Sequence, residues 1–211
     1  MAFDKALASY LTGATEAQLA NWARKGLLVP EIEDGRRRLY SFRDLLALRT
    51  MAKLRSKVSL QKIRRAFDTM SELELTDHPS KYTLVAHEDS IRLVEDSDDE
   101  GHIVTDLVRD RTQTVLVSLD DVMAPFTNFR GDKVVDFRRP RPHLEVREGR
   151  MGGVPTAEGT RVTFDSIARL LESGEVAPER IADFYPTVSL ESALDAVDFA
   201  RHLHPERQGA A

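Results

Sequence analysis

At 211 residues, 41% of them hydrophobic and 31% charged, the chain has the composition of a folded protein and the length of one large domain or two to three small ones. The absence of cysteine excludes disulfides, thiolate metal sites and a cysteine nucleophile. With no secretory leader and no long apolar run, a soluble cytoplasmic protein is expected. The net charge of -5 conceals a polarity: residues 1–67 carry 14 Lys/Arg against 6 Asp/Glu, a balance of +8, and residues 68–211 stand at -13. The basic part can neutralise nucleic-acid phosphates, whereas the acidic part is repelled by DNA and must face something else.

In chain order, Asp4 predicts the cap of a short helix through Tyr10, with Leu7, Tyr10 and Leu11 inward. Thr12-Gly13-Ala14 is a turn. Thr15 is a good N-cap for a helix from Glu16 to Lys25, with Leu19 and Trp22 on one face and Gly26 as its stop. Pro30 leads an extended segment, Asp34-Gly35 is a hairpin-turn dipeptide, and Arg36 to Tyr40 returns. Ser41 caps a longer helix carrying Phe42, Leu45, Leu46, Leu48 and Met51. Ser59 caps another, with Leu60, Ile63, Phe67 and Met70 at helical spacing.

From residue 71 the texture changes. His78-Pro79-Ser80 breaks the helix, which is expected to stop near Glu74. Tyr82 to Ala86, Ser90 to Val94, Ile103 to Val108 and Thr114 to Val117 read as short strands, and Asp96 to Gly101 as an acidic loop. Val134 to Phe137 and His143 to Val146 look like two more strands around the stiff Arg138–Pro142 run. From Gly149 a Gly-rich approach leads to a helix capped by Thr163, from Phe164 to Ser173, ended by Gly174. Pro178 opens a second helix through Phe184. Ser189 caps a third, with Leu190, Leu194, Val197 and Leu203 as its apolar stripe. The expected fold class is α+β. A winged helix-turn-helix spans residues 1–75, a β-rich middle module 76–148, and a small helical bundle 149–205.

Two helices followed by a basic two-stranded ribbon give the order of a winged helix-turn-helix. Its second helix fits the major groove, where base edges display a distinct donor and acceptor pattern. Candidate DNA contacts on that helix are Thr15, Gln18, Asn21, Arg24 and Lys25, and on the ribbon Arg36, Arg37 and Arg38. Asn and Gln can bond adenine edges, Arg prefers guanine, and a ribbon arginine can reach phosphates or a narrow minor groove. Leu19, Trp22 and Leu27 are core. Arg24 can instead pair with Glu16 or a ribbon carboxylate.

The run from Leu11-Thr12-Gly13 through Leu19, Trp22, Gly26-Leu27-Leu28, Pro30, Gly35 and Arg38-Leu39-Tyr40-Ser41, with the later Ser59-Leu60 and Ile63, resembles the N-terminal domain of the MerR family over residues 5–67. The resemblance implies that Arg38 is the ribbon arginine that contacts the DNA backbone. This chain departs from the family where it places Ala20 and Asn21 in the reading helix, where arginine and tyrosine are frequent. It also lacks the long dimerising coiled-coil helix, the effector cysteines and the metal ligands, so metal sensing is not expected.

A second resemblance covers residues 147–203. Gly153-Val154-Pro155, Glu158-Gly159-Thr160-Arg161-Val162, Gly174, Tyr185-Pro186 and Ser189-Leu190-Glu191 are similar to the small helical domain DUF433. That domain is common in VapB-type antitoxins encoded beside PIN-domain ribonucleases. A MerR-like head joined to it resembles a VapB-type antitoxin of the mycobacterial kind, which implies a PIN-domain ribonuclease toxin as partner. Residues 151–211 hold 5 Lys/Arg against 10 Asp/Glu, which favours a protein partner over a second DNA reader. Arg161, Phe184 and Tyr185 are the candidate partner contacts. Arg161 is more often a structural arginine that bonds nearby carbonyls than a partner contact, and both aromatics can serve at least as well as core.

No enzyme is expected. His202 and His204 have no third metal ligand, Gly149 to Gly159 lacks the Lys-Ser/Thr of a phosphate loop, and no nucleophile signature is present. Neither cofactor nor metal is implied. The reading is thus an antitoxin-like homodimeric repressor of double-stranded operator DNA, with the middle module as dimeriser. Two alternatives stand: a ligand-responsive MerR-like regulator with no toxin, and a protein-binding adaptor with a degenerate winged helix.

Overall fold

The computed structural model describes residues 3–34, 37–72, 83–87, 90–97, 101–106, 122–147 and 149–205. Its class is α+β: short helices at both ends, with small antiparallel sheets between and beside them. Among the described residues no helix is long and apolar enough to cross a membrane.

The helices start where their caps allow. In α1 (Lys5–Thr12) the Asp4 carboxylate accepts the Leu7 N–H at 2.8 Å. α2 (Glu16–Arg24) opens with a reciprocal box: Gln18 N–H donates to Thr15 Oγ1 at 3.1 Å, and Thr15 N–H to Gln18 Oε1 at 2.8 Å. α3 (Phe42–Arg55) repeats it with Ser41 and Asp44, at 3.0 and 2.7 Å. Such side chains satisfy donors that a helix start leaves orphaned, and each cap stabilises by about 1 kcal/mol. Between α2 and α3, β1 (Ile32–Asp34) and β2 (Arg37–Leu39) pair antiparallel; Gly35 and Arg36 of the expected turn lie outside the described residues. α4 (Leu60–Glu72) follows, and the expected stop near Glu74 lies outside them too.

The strands β3 (Thr83–His87), β4 (Ser90–Ser97) and β5 (Gly101–Asp106) form one antiparallel sheet. Buried Leu84 and Ile91 join Leu54, Val58, Ile63 and Ala66 in a small core that fastens the sheet to α3 and α4. Asp96 and Ser97 extend β4, where a loop was expected, because they pair with His102 and Gly101. The strand expected over Thr114–Val117 and the loop residues Asp98–Glu100 fall outside the described residues.

Residues 122–137 are held against the first helices by Arg49, which is fully buried in α3. Its guanidinium donates to five carbonyls: Leu11 at 2.5 Å, Val122 at 2.6 Å, Met123 at 3.0 Å, Ala124 at 2.9 Å and Val135 at 2.7 Å. Burial lowers its pKa to about 10, with Asp136 opposing the shift, so it is charged at neutral pH. This segment carries a hairpin of β6 (Phe126–Thr127) and β7 (Lys133–Val134). The two strands expected over 134–137 and 143–146 shrink to β7 and to β8 (Leu144–Glu145), which pairs with β9 (Thr156–Ala157). Single antiparallel bridges, Arg141 with Leu144 and Thr156 with Thr163, flank these two-residue pairings.

At the C-terminal end, α5 (Phe164–Glu172), a 3₁₀ turn (Pro178–Arg180) running into α6 (Ile181–Phe184), and α7 (Leu190–Leu203) form the helical unit. The apolar stripe expected of α7 is not its fully buried face, although Leu203 packs partly buried against the core. Ala193, Ala196, Phe199 and Ala200 are its buried face, while Leu190 and Leu194 are 37% and 51% exposed. Both stripes have helical spacing. Small alanines let α7 lie close to Ala168 of α5, and Phe199 fills the space between, edge-on to Phe164 at 4.8 Å and to Tyr10 of α1 at 5.1 Å.

The main core is continuous from the first helices to the last. Phe3, Leu11, Leu19, Trp22, Leu45 and Leu48 belong to the same cluster as Phe137, Leu144, Ile167 and Phe199. The approach is close: a Cβ on Gly153 (φ +84°) would lie 2.4 Å from the Phe42 ring, so only glycine fits there. Arg141 adds a polar tie. It bonds the Tyr10 hydroxyl and pairs with Asp198 of α7 at 2.8 Å.

Candidate nucleic-acid interface

α2 has one face in the core and one outside. Leu19, Trp22 and Ala23 are buried, whereas Glu16, Ala17, Ala20, Arg24 and Lys25 are exposed, and Asn21 is half-buried. The outer face is thus bounded by two alanines, which leave room for close approach to a groove floor. Thr15 and Gln18 are half-buried and committed to the cap. A bidentate contact to adenine uses both the oxygen and the nitrogen of an amide. With its Oε1 in the cap, Gln18 can offer a base only its NH₂ group. Asn21 is similarly engaged: its Oδ1 accepts from Arg24 Nη2 at 3.0 Å. That bond fixes one edge of the Arg24 guanidinium and leaves donors on the others. Glu16 is paired with Lys5 of α1 at 3.1 Å, not with Arg24.

The ribbon is anchored at its base. Phe3 and Tyr40 exchange both backbone hydrogen bonds at 2.9 Å, which ties the ribbon's return to the start of the chain. Glu31 N–H donates to the buried Asp44 carboxylate at 3.1 Å, and the Glu31 carboxylate accepts from Arg43 at 2.6 Å and Ser41 Oγ at 2.9 Å. Burial raises the pKa of Tyr40 beneath the ribbon, as does the nearby Asp44, against the charge of Arg38. Across the strands, Arg38 stands opposite Glu33 and Arg37 opposite Asp34. Arg38 is exposed; Arg36 lies outside the described residues.

The candidate partner residues sit at the other end of the molecule. Arg161 is exposed in the loop before α5, in which Thr160 is buried and donates to Ala157 O at 2.9 Å. This loop hangs on buried Glu145, which accepts the Gly159 N–H at 2.8 Å, pairs with Arg147 at 2.9 Å, and bonds Arg150. Burial pushes the Glu145 carboxyl up, but these donors outweigh it and hold it below its ordinary value. Phe184 is 51% exposed; Tyr185 is half-buried against the main core. Leu171, Val176, Pro178, Leu194, Val197 and Arg201 line an open groove of about 450 Å³ between α5 and α7. Among the described residues no group of three His, Asp or Glu could hold a metal ion.

Sequence reasoning missed Arg49 and Glu145. Arg49 falls four residues after Leu45, between Leu48 and Ala52, so a cation on an apolar helical stripe was the available signal. Glu145 carried no such mark.

Comparison with known proteins finds a helix-turn-helix at the first end of the chain. Residues 7–70 match the family described as MerR HTH family regulatory protein, and residues 144–200 match the family described as protein of unknown function (DUF433). The chain therefore carries a MerR-family helix-turn-helix domain followed by a DUF433 domain. Over 75 residues it is 39% identical to uncharacterized HTH-type transcriptional regulators of Mycobacterium bovis and of two strains of Mycobacterium tuberculosis. The match covers 33% of this chain and 33% of each relative, so the chain spans about a third of the length of the curated relatives it matches. No solved structure matches.

Proposed function

We propose that this chain is a DNA-binding transcriptional regulator of the antitoxin type, which represses its own operator as a homodimer and neutralises a PIN-domain ribonuclease toxin. The observation that carries the DNA-binding half is the exposed face of α2, with Ala17, Ala20, Arg24 and Lys25 outward beside the ribbon that presents Arg38. α2 enters the major groove, Arg24 and Lys25 meet base edges or phosphates, and Arg38 positions the domain on the backbone. Two copies bind the two halves of a near-palindromic site, with the β3–β5 sheet as the dimerising element. The similarity to HTH-type transcriptional regulators supports this half.

The toxin-binding half rests on the DUF433 domain and on its surface. Phe184, Leu190 and Leu194 are outward, and the acidic surroundings suit a basic partner. Tyr185 follows Phe184 and is half-buried against the core, and Arg161 is exposed on the loop before α5.

Binding to a duplex from its own promoter region, measured by fluorescence anisotropy across a salt series, tests the first half. Arg38→Ala is expected to weaken binding to all sequences and to reduce the slope of log affinity against log salt by about 1. An unchanged slope would remove Arg38 from the interface, and no rise in anisotropy with the wild-type chain would end the DNA-binding reading. For the second half, the protein encoded next to this chain is co-expressed with it and assayed for ribonuclease activity. Inhibition that is lost in Phe184→Ala is expected; a fully active ribonuclease in the presence of this chain would sink the antitoxin reading alone.

A further inference from the structure

The texture of the sequence groups residues 126–134 with the middle module, but the structure seats them on the helix-turn-helix. Val134 packs on the turn between α1 and α2, where a Cβ on Gly13 (φ +75°) would lie 2.4 Å from its Cγ2. Asn128 Nδ2 donates to Gly13 O at 3.2 Å, and Arg49 holds Val135 O from beneath. The tip of the hairpin is stiff. Asn128 Oδ1 accepts the N–H groups of Arg130 and Asp132 at 2.9 and 3.0 Å, and Asn128 N–H donates to Asp132 O at 2.9 Å. Phe129, 43% exposed, lies under the guanidinium of Arg55 at the end of α3, 4.8 Å from it.

This seating places cations along one edge. Arg130 and Lys133 are exposed on the hairpin, Arg55 stands over its tip, and exposed Lys57 follows α3. Asp132 is the one acid at the tip, and it holds Arg130 Nη2 at 2.6 Å. With Ser9, Gly13 and Ala14, the side chains of Arg130 and Lys133 line an open cleft of about 370 Å³ beside the turn that precedes α2.

The length of α2 gives this edge a purpose. Its nine residues span about 13 Å. A B-form major groove is about 12 Å wide and is bordered by a phosphate strand on each side. The β1–β2 ribbon follows the C-terminal end of α2, and the β6–β7 hairpin sits on the turn before its N-terminal end. We infer that the β6–β7 hairpin is a second DNA-contacting ribbon, with Arg130 and Lys133 meeting phosphates on the flank of the groove away from Arg38. This rests on the DNA-binding reading above and extends it beyond residues 7–70, where the MerR match ends.

Phosphate contacts are independent of sequence, so a mixed-sequence duplex is a sufficient probe alongside the promoter duplex. The full chain carrying Arg130→Ala with Lys133→Ala is titrated with both duplexes across a salt series. Each lost phosphate contact is expected to lower the slope of log affinity against log salt by about 0.9, so the double variant loses about twice that on both probes. Arg169→Ala with Arg180→Ala, on the helical unit, removes the same charge elsewhere and is expected to leave the slope unchanged. Equal losses in both variants would mean net charge alone, and an unchanged slope in the hairpin variant would overturn the inference while leaving Arg38 and the DNA-binding reading standing. A wild-type chain that binds neither duplex removes both. The positions are exposed, so matched thermal melts of the two variants are expected, and Lys133→Arg is expected to keep the wild-type slope when Arg130 is present.

Discussion

The two ends of the molecule are made with the same tools and present opposite chemistry. Each is a set of short helices opened by a Thr, Ser or Asp cap, and each contributes to one apolar core. The first end turns alanines, Arg24, Lys25 and Arg38 outward; the last turns Phe184, Leu190 and Leu194 outward among carboxylates. The difference teaches that the fold sets where a surface is, and the residues left on the outer face of α2 and α7 set what it can meet.

The comparison breaks most completely at Arg49, which belongs to the first end and holds the segment that leads to the last. Arg49→Met would leave five carbonyls without their donor and is expected to destabilise by about 3–5 kcal/mol, read as a shift of the urea midpoint. A loss within experimental error would mean that water replaces the guanidinium.

Glu145 sharpens the last end against the first. Glu145→Gln is expected to cost about 1–3 kcal/mol at neutral pH, since the side chain is buried and two arginines lose their partner. Its folded pKa lies below the ordinary 4.5, so the carboxylate stabilises above that value, and this contribution is lost as pH falls through the folded pKa. The gap between wild type and variant should therefore close on acidification below about 4.5. A gap that stays constant with pH would show that shape, not charge, holds the loop.

Thr15→Ala removes a cap from the reading helix and is expected to cost about 1 kcal/mol. The backbone N–H of residue 15 still holds Gln18 Oε1 in this variant, so stability should fall while DNA affinity changes little in a paired measurement of melting and anisotropy. Smallest in stability is Leu194→Asp. An exposed position should change stability by less than about 0.5 kcal/mol. On the proposed antitoxin reading, the same variant is expected to lose binding to the toxin; retained binding would take the outer face of α7 out of the partner surface.

How much of this was legible follows from where each signal resides. Caps are local, and Asp4, Thr15, Ser41, Thr163 and Ser189 were read correctly because a side chain three residues from an orphan N–H is enough. The β1–β2 hairpin was equally local. The burial of α7 was not: Leu190-Leu194-Val197 and Ala193-Ala196-Ala200 have the same period, and only the closeness of α5 selects the smaller set. The hairpin of 126–134 was illegible for a related reason. Its anchors are Gly13 and Arg49, more than 70 residues away in the chain, and no pattern within the segment names them. In the candidate interface the residue types of α2 were visible, while the engagement of Gln18 and Asn21 depended on geometry.

The Arg49 knot bears on how such a chain is inherited. Its head and tail are each recognisable alone, yet a head grafted onto a foreign tail would keep one carbonyl, that of Leu11, and forfeit four. It would import a stranded cation into its own interior. Exchange of the tail between lineages therefore has to carry residues 122–135 along with it, or else replace Arg49 in the same step.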